Sequence, residues 1–103
     1  MSDIQQQIDE IIKNNRVVLF MKGSPKFPMC GFSGKAAEIL KKCEVADFKH
    51  VNVLDNEEIR QGIKTYSNWP TIPQLYINGE FIGGSDIMTE MYESGELKQL
   101  LTA

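Results

Sequence analysis

At 103 residues the chain has room for one domain with a real core and too little for two. Hydrophobic residues at 42% and charged residues at 24% match a soluble globular protein and exclude a disordered chain or a membrane protein. A formal net charge of -3 carried with scattered basic residues excludes broad phosphate neutralisation, so no nucleic-acid partner is expected.

Ile4, Ile8, Ile11 and Ile12 fall on one helical face behind Ser2 as N-cap and ahead of Asn14-Asn15 as a stop, which predicts an amphipathic helix. The segment Met1 to Ile12 has no continuous apolar run, so neither a signal peptide nor a membrane span is expected there. A cytoplasmic location follows, or a compartment reached by a presequence already removed. Two cysteines are also fewer than a small secreted domain usually carries, which favours a reducing compartment. Val17 to Met21 is a short apolar run suited to a buried central strand. Lys22 to Met29, with Gly23, Pro25 and Pro28, has to be a loop that delivers the chain to Cys30. Phe32, Ala36, Ile39, Leu40 and Cys43 then recur at helical spacing.

Phe48, Val51 and Val53 predict a second strand, and Asp55 or Asn56 caps a helix with Ile59, Ile63 and Tyr66 on its inner face. Leu75-Tyr76-Ile77, Asn78-Gly79 and Phe81-Ile82 form a strong hairpin signal, because a type I′ turn needs positive φ at both central residues. Ser85 or Asp86 is expected to cap a helix bearing Ile87 and Met91, with a final turn after Gly95 carrying Leu97, Leu100 and Leu101. The order α-β-α-β-α-β-β-α predicts an α/β protein with one four-stranded mixed sheet and helices on both faces. That order matches the thioredoxin-like fold, which by itself assigns no function.

Cys30 follows a proline-bearing loop and opens a helix, where unpaired N–H groups and the helix dipole favour an anion, so its thiol is expected to be unusually acidic. Lys22 adds positive charge nearby. Three residues on stands Ser33, whose hydroxyl can hydrogen-bond a thiolate but cannot resolve a mixed disulfide. Cys43 is no substitute: thirteen residues along one helix put it ~20 Å away, and disulfide Cα atoms lie within ~7 Å. Its place on the apolar stripe makes it a small core residue. His50 is a rival metal ligand in principle, but it lies in the second strand, away from the loop.

Trp69-Pro70-Thr71-Ile72-Pro73 leaves two readings open. It is either a turn with two prolines or a cis Ile72-Pro73 bond that leaves the Ile72 backbone free to pair with an extended peptide. Gly83-Gly84-Ser85-Asp86 is either an ordinary capped helix start or a small anion site whose carboxylate, Asp86, meets an amine. Lys22 and Arg60 are surface cations by default, and both are able to serve a peptide carboxylate.

Cys30-Gly31-Phe32-Ser33, preceded by Lys22-Gly23-Ser24-Pro25 and followed by Trp69 to Leu75 and Gly83 to Asp86, closely resembles the monothiol glutaredoxins of the Cys-Gly-Phe-Ser class. The resemblance spans nearly the whole chain and implies a single glutaredoxin domain over residues 1–103. It further implies glutathione and a [2Fe-2S] cluster as cofactors, with Cys30 as cluster ligand and redox-active residue. Lys22 and Arg60 would hold the glycine carboxylate of glutathione, Ile72 its cysteine backbone, and Ser85 with Asp86 its γ-glutamyl end. The longer loop through Lys26-Phe27-Pro28 is a family trait thought to orient glutathione for cluster binding. Ser85 stands where relatives often have cysteine, so any redox role of that cysteine is absent.

A [2Fe-2S] cluster wants four thiolates, and one protomer offers one suitable cysteine. Two copies of Cys30 and two glutathione thiolates complete the set, which predicts a cluster-bound homodimer delivering to iron-sulfur acceptor proteins. The competing expectation is an enzyme, a glutathione-dependent oxidoreductase acting on glutathione mixed disulfides through Cys30. A third possibility implied by the resemblance is an adaptor for a BolA-like partner.

Overall fold

The computed structural model describes residues 2–45 and 47–102. Met1, Ala46 and Ala103, within the span assigned to a single domain, lie outside the described residues. Helix α1 (Asp3–Asn14) begins where the Ser2 hydroxyl accepts the Gln5 amide hydrogen, and it buries Ile8 and Ile12. Strand β1 (Val17–Met21) is buried along its whole length, as its unbroken apolar run requires of a strand covered on both faces. Helix α2 (Gly31–Lys42) follows the loop, and strand β2 (Lys49–Asn52) pairs with β1 in parallel. Val53 is not in that strand. The Asn52 side chain accepts amide hydrogens from Gly23 and Leu54, ending β2 and turning Val53–Asp55 into a 3-10 turn with Val53 still buried.

Helix α3 (Glu57–Ser67) is capped by Asn56, whose side chain accepts from the Ile59 amide. Strands β3 (Gln74–Ile77) and β4 (Glu80–Gly83) form the expected hairpin. Its turn residues Asn78 and Gly79 have φ of 52° and 83°, the type I′ signature. Helix α4 (Ser85–Ser94) is capped by Gly84, so Ser85 and Asp86 are its first two residues instead of its caps. Gly95, in the left-handed region, separates α4 from α5 (Glu96–Thr102), where Leu97 and Leu101 are buried and Leu100 is exposed. Arg16 donates to the carbonyl of Leu101 and ties α5 to the start of β1.

The sheet order is β2-β1-β3-β4, parallel between β1 and β2 and antiparallel elsewhere. Alternation along the strands divides the core. Val17, Leu19, Met21, Leu75 and Ile77 pack with α2, α4 and α5 on one face, while Val18, Phe20 and Tyr76 pack with α1 and α3 on the other. This is the mixed sheet with helices on both faces anticipated above. The apolar spacing misplaces Phe32, however. It is 62% exposed, and the buried position in that first turn of α2 belongs to Ser33, at 0%.

Candidate functional site

Cys30 is the N-cap of α2, delivered there by a loop with its own hydrogen bonds. The Met29 amide donates to the Lys22 carbonyl at 2.9 Å, Ser24 and Phe27 exchange backbone hydrogen bonds, and Gly23 bridges to Pro28. Gly23 has φ of +90°, and a Cβ there would sit 2.4 Å from the Phe27 carbonyl oxygen, so only glycine lets the loop fold back this tightly. The backbone is thereby committed inward. Phe27, Met29 and Phe32 are left 75%, 68% and 62% exposed around the cysteine, an apolar grouping of the kind that marks contact surfaces.

The Cys30 thiol is held below its ordinary pKa, chiefly by the Ser33 amide. Partial burial works against this, while the Phe32 amide, the Lys22 ammonium and the Ser33 hydroxyl add to it. The Ser33 and Phe32 N–H groups belong to the open first turn of α2, whose unpaired donors favour the thiolate. The Ser33 hydroxyl oxygen also accepts from the Lys22 amide at 3.0 Å, joining the end of β1 to the start of α2. Cys43 is the C-cap at the other end of the same helix, 2% exposed, and burial pushes its thiol up. The two cysteines are both free and cannot meet.

A groove of about 190 Å³ adjoins the α2 N-terminus, lined by Phe32, Trp69, Thr71, Ile72, Pro73 and the segment Gly84 to Ile87. The Ile72-Pro73 bond is cis, which settles the choice left open above. Among the described residues the Ile72 N–H and C=O make no backbone hydrogen bond. At the other wall, the first backbone bond of α4 runs from Met88 to Gly84, so the amides of Ser85, Asp86 and Ile87 have no backbone partner among the described residues and are open to an anion. Asp86 is exposed there, while the Ser85 side chain is 7% exposed.

The structure therefore brings Ile72, Ser85 and Asp86 into one groove with Phe32, two residues beyond Cys30. Lys22 lies close enough to act on the thiol, but neither it nor Arg60 lines the groove. Arg60 sits on α3 with a loose 3.9 Å contact to Glu57 and a buried Nε that has no hydrogen-bond partner among the described residues. His50 is exposed on the edge strand β2. Trp69, Thr71 and Phe32 line the groove although no separate role follows from their sequence positions. The clue lay in large or polar side chains flanking a proline pair, where a core would not need them.

An acidic thiol capping the helix after the first strand, beside a cis-proline groove on a four-stranded mixed sheet, defines a thioredoxin-like thiol protein. The chain belongs to the glutaredoxin family, whose model, described as Glutaredoxin, matches residues 17–82, and within it to the monothiol glutaredoxins. It is 58% identical over 99 residues to "Monothiol glutaredoxin-5, mitochondrial" of Schizosaccharomyces pombe, covering 94% of this chain and 68% of that protein. To "Glutaredoxin-related protein 5, mitochondrial" of Danio rerio it is 52% identical over 97 residues, covering 94% of this chain but 63% of the relative's length. The solution structure of reduced, apo GrxS14 from poplar superposes with a TM-score of 0.81 at 52% identity, covering 96% of this chain and 90% of that one. The fold extends to a buckwheat glutaredoxin-glutathione complex, at 22% identity and a TM-score of 0.83, covering 96% of this chain and 87% of that one.

Proposed function

We propose that this chain is an iron-sulfur carrier: two protomers share one [2Fe-2S] cluster, each contributing Cys30 and one bound glutathione thiolate, and release it to acceptor proteins. The observation that carries the reading is a single acidic, accessible thiol with no second thiol within reach, next to a groove of peptide-binding character. Among the described residues no group of three or more His, Cys, Asp or Glu side chains is placed to hold a metal. The remaining thiolates must then come from outside the protomer.

The groove suits glutathione. Unpaired α4 amides meet the γ-glutamyl carboxylate, Asp86 meets its ammonium, and Ile72 pairs with the cysteinyl backbone in the manner of an added strand. Lys22 and Arg60 are assigned to the glycine carboxylate from beyond the groove walls. The buckwheat complex supports this fold as a host for glutathione. Phe27, Met29 and Phe32 supply an apolar surface for the second protomer, an acceptor or a BolA-like partner. The carrier needs a reducing compartment, where Cys30 stays a free thiol, and the cytoplasm expected above meets that need.

The lowered thiol pKa favours one alternative, glutathione-dependent oxidoreductase activity. There the Cys30 thiolate attacks the glutathione sulfur of a mixed disulfide, the protein thiolate leaves, and a second glutathione thiolate displaces Cys30 to give glutathione disulfide. Anaerobic reconstitution with iron and sulfide, with and without glutathione, separates the two through visible absorbance and apparent mass. A coloured dimer that requires both glutathione and Cys30 is expected. A colourless monomer, or colour that persists in Cys30→Ser, refutes the carrier, and brisk turnover of a mixed disulfide promotes the enzyme.

A further inference from the structure

Gln74, the first residue of β3, is wholly buried, an unusual place for an amide at the head of an apolar strand. Every polar atom of its side chain is used. Nε2 donates to the Trp69 carbonyl at 3.2 Å and the Thr71 carbonyl at 3.1 Å, and the Tyr76 hydroxyl donates to Oε1 at 3.1 Å. The reverse orientation would press Oε1 against two carbonyl oxygens, so the network fixes the amide's direction. Two donors spaced for two carbonyls, with an acceptor beside them, are beyond Lys, Arg or His, which lack the combination.

The same segment is gripped by its rings. Trp69 packs on Phe81 at 5.9 Å between centroids, and Phe81 packs on Tyr76 at 5.4 Å, so the side chain of Trp69 and its carbonyl are both referred back to Tyr76. On the groove side, the Gly84 backbone approaches Pro73 closely: a Cβ added at Gly84 would stand 3.2 Å from the Pro73 carbonyl oxygen, tighter than an ordinary contact. Trp69 to Pro73 is thus clasped from the core and backed from the groove.

We infer that Gln74 is a positioning residue for the groove: its amide holds the Trp69–Thr71 carbonyls inward, which directs the free Ile72 backbone outward to pair with a cysteinyl peptide such as glutathione. The ligand's identity rests on the function proposed above; the clasp does not. Burial keeps the Tyr76 hydroxyl protonated and a donor, with its pKa pushed up to about 12.

Gln74→Met keeps the side chain's length and removes both donors, and Leu97→Ala serves as a control that loosens the opposite face of the sheet. Two quantities are read on the full chain while each variant is folded by circular dichroism. One is the backbone amide order parameter at Thr71 and Ile72 without ligand. The other is affinity for reduced glutathione from the fluorescence of Trp69, the chain's only tryptophan. In Gln74→Met the order parameters should fall from about 0.85 to below about 0.6. Glutathione binding should weaken about tenfold with the Cys30 thiol pKa unchanged. Leu97→Ala should alter neither reading. Unchanged order parameters in Gln74→Met, unchanged affinity where the wild type binds, or equal effects in Leu97→Ala overturn the inference. If the wild type shows no saturable response, the glutathione assignment falls, while the order parameters still decide the clasp. Should Gln74→Met not fold, Gln74→Glu, with an oxygen in place of the donors, is read by the same criteria.

Discussion

Removing one oxygen atom at Ser33 tests the coupling between the thiol site and the core. The Ser33 side chain is fully buried, and its hydroxyl oxygen is the acceptor for the Lys22 amide at 3.0 Å. In Ser33→Ala that amide loses its partner where water does not replace it, at a cost of roughly 1–3 kcal/mol. For a domain of this size each kcal/mol is worth about 4–8 °C, so Tm should fall by roughly 4–24 °C. The thiol should respond far less. The main influence lowering the Cys30 pKa is the Ser33 amide, which alanine retains, and the hydroxyl is the smallest contributor. The pKa should therefore rise yet stay below that of an ordinary thiol. The sign for stability is fixed by the same direction. A thiol more acidic folded than unfolded contributes stability above the unfolded pKa, and that contribution is lost as pH falls through the folded value. Thermal melts at neutral and alkaline pH, with ultraviolet thiolate absorbance followed against pH, measure both effects. A melting temperature equal to wild type, or a Cys30 pKa at or above that of a free thiol, refutes the reasoning.

Lys22→Gln keeps the Lys22 amide and removes its ammonium, so the pH profile of Cys30 alkylation should move upward, and added salt should shrink the difference between variant and wild type. Gly23→Ala places a Cβ 2.4 Å from the Phe27 carbonyl oxygen and 2.7 Å from the Met29 amide nitrogen at φ of +90°. It should cost at least about 2 kcal/mol in a denaturant titration, and an unchanged midpoint would sink the account of the loop. Tyr66 and Tyr76 are both raised from 10.0 to about 12, mainly by burial, with Asp9 adding to the effect at Tyr66. Their contribution to stability is intact below pH 10 and should drain away as pH climbs towards about 12. Tyr66→Phe should flatten that alkaline loss, and a steeper one counts against it.

The local signals legible in the sequence were those with one physical solution. Asn78-Gly79 permits little besides the turn it makes, Val17 to Met21 has no polar face to expose, and a cysteine after a proline loop at the head of an apolar-periodic run had to cap it. Where two solutions compete, spacing alone misled. Phe32 fits the helical stripe, yet Ser33 takes the buried place because its hydroxyl is needed by the Lys22 amide. Val53 fits a strand, but the Asn52 side chain captures the next turn. Gly84 caps α4 in place of Ser85 or Asp86, with its carbonyl accepting the first hydrogen bond of the helix from the Met88 amide. Gln74 was invisible for a different reason: two of its three partners are backbone carbonyls, which every residue carries, so no residue type announces them.

The placement of the two cysteines at opposite ends of α2 has a practical consequence for anyone studying the protein. One sulfur is acidic and open; the other is buried at 2% exposure with its acidity suppressed. To a water-soluble electrophile near neutral pH the folded chain is in effect a one-cysteine protein. A dye or spin probe can be attached at Cys30 without first replacing Cys43, and a second equivalent of label taken up signals that the far end of the helix has come away from the core.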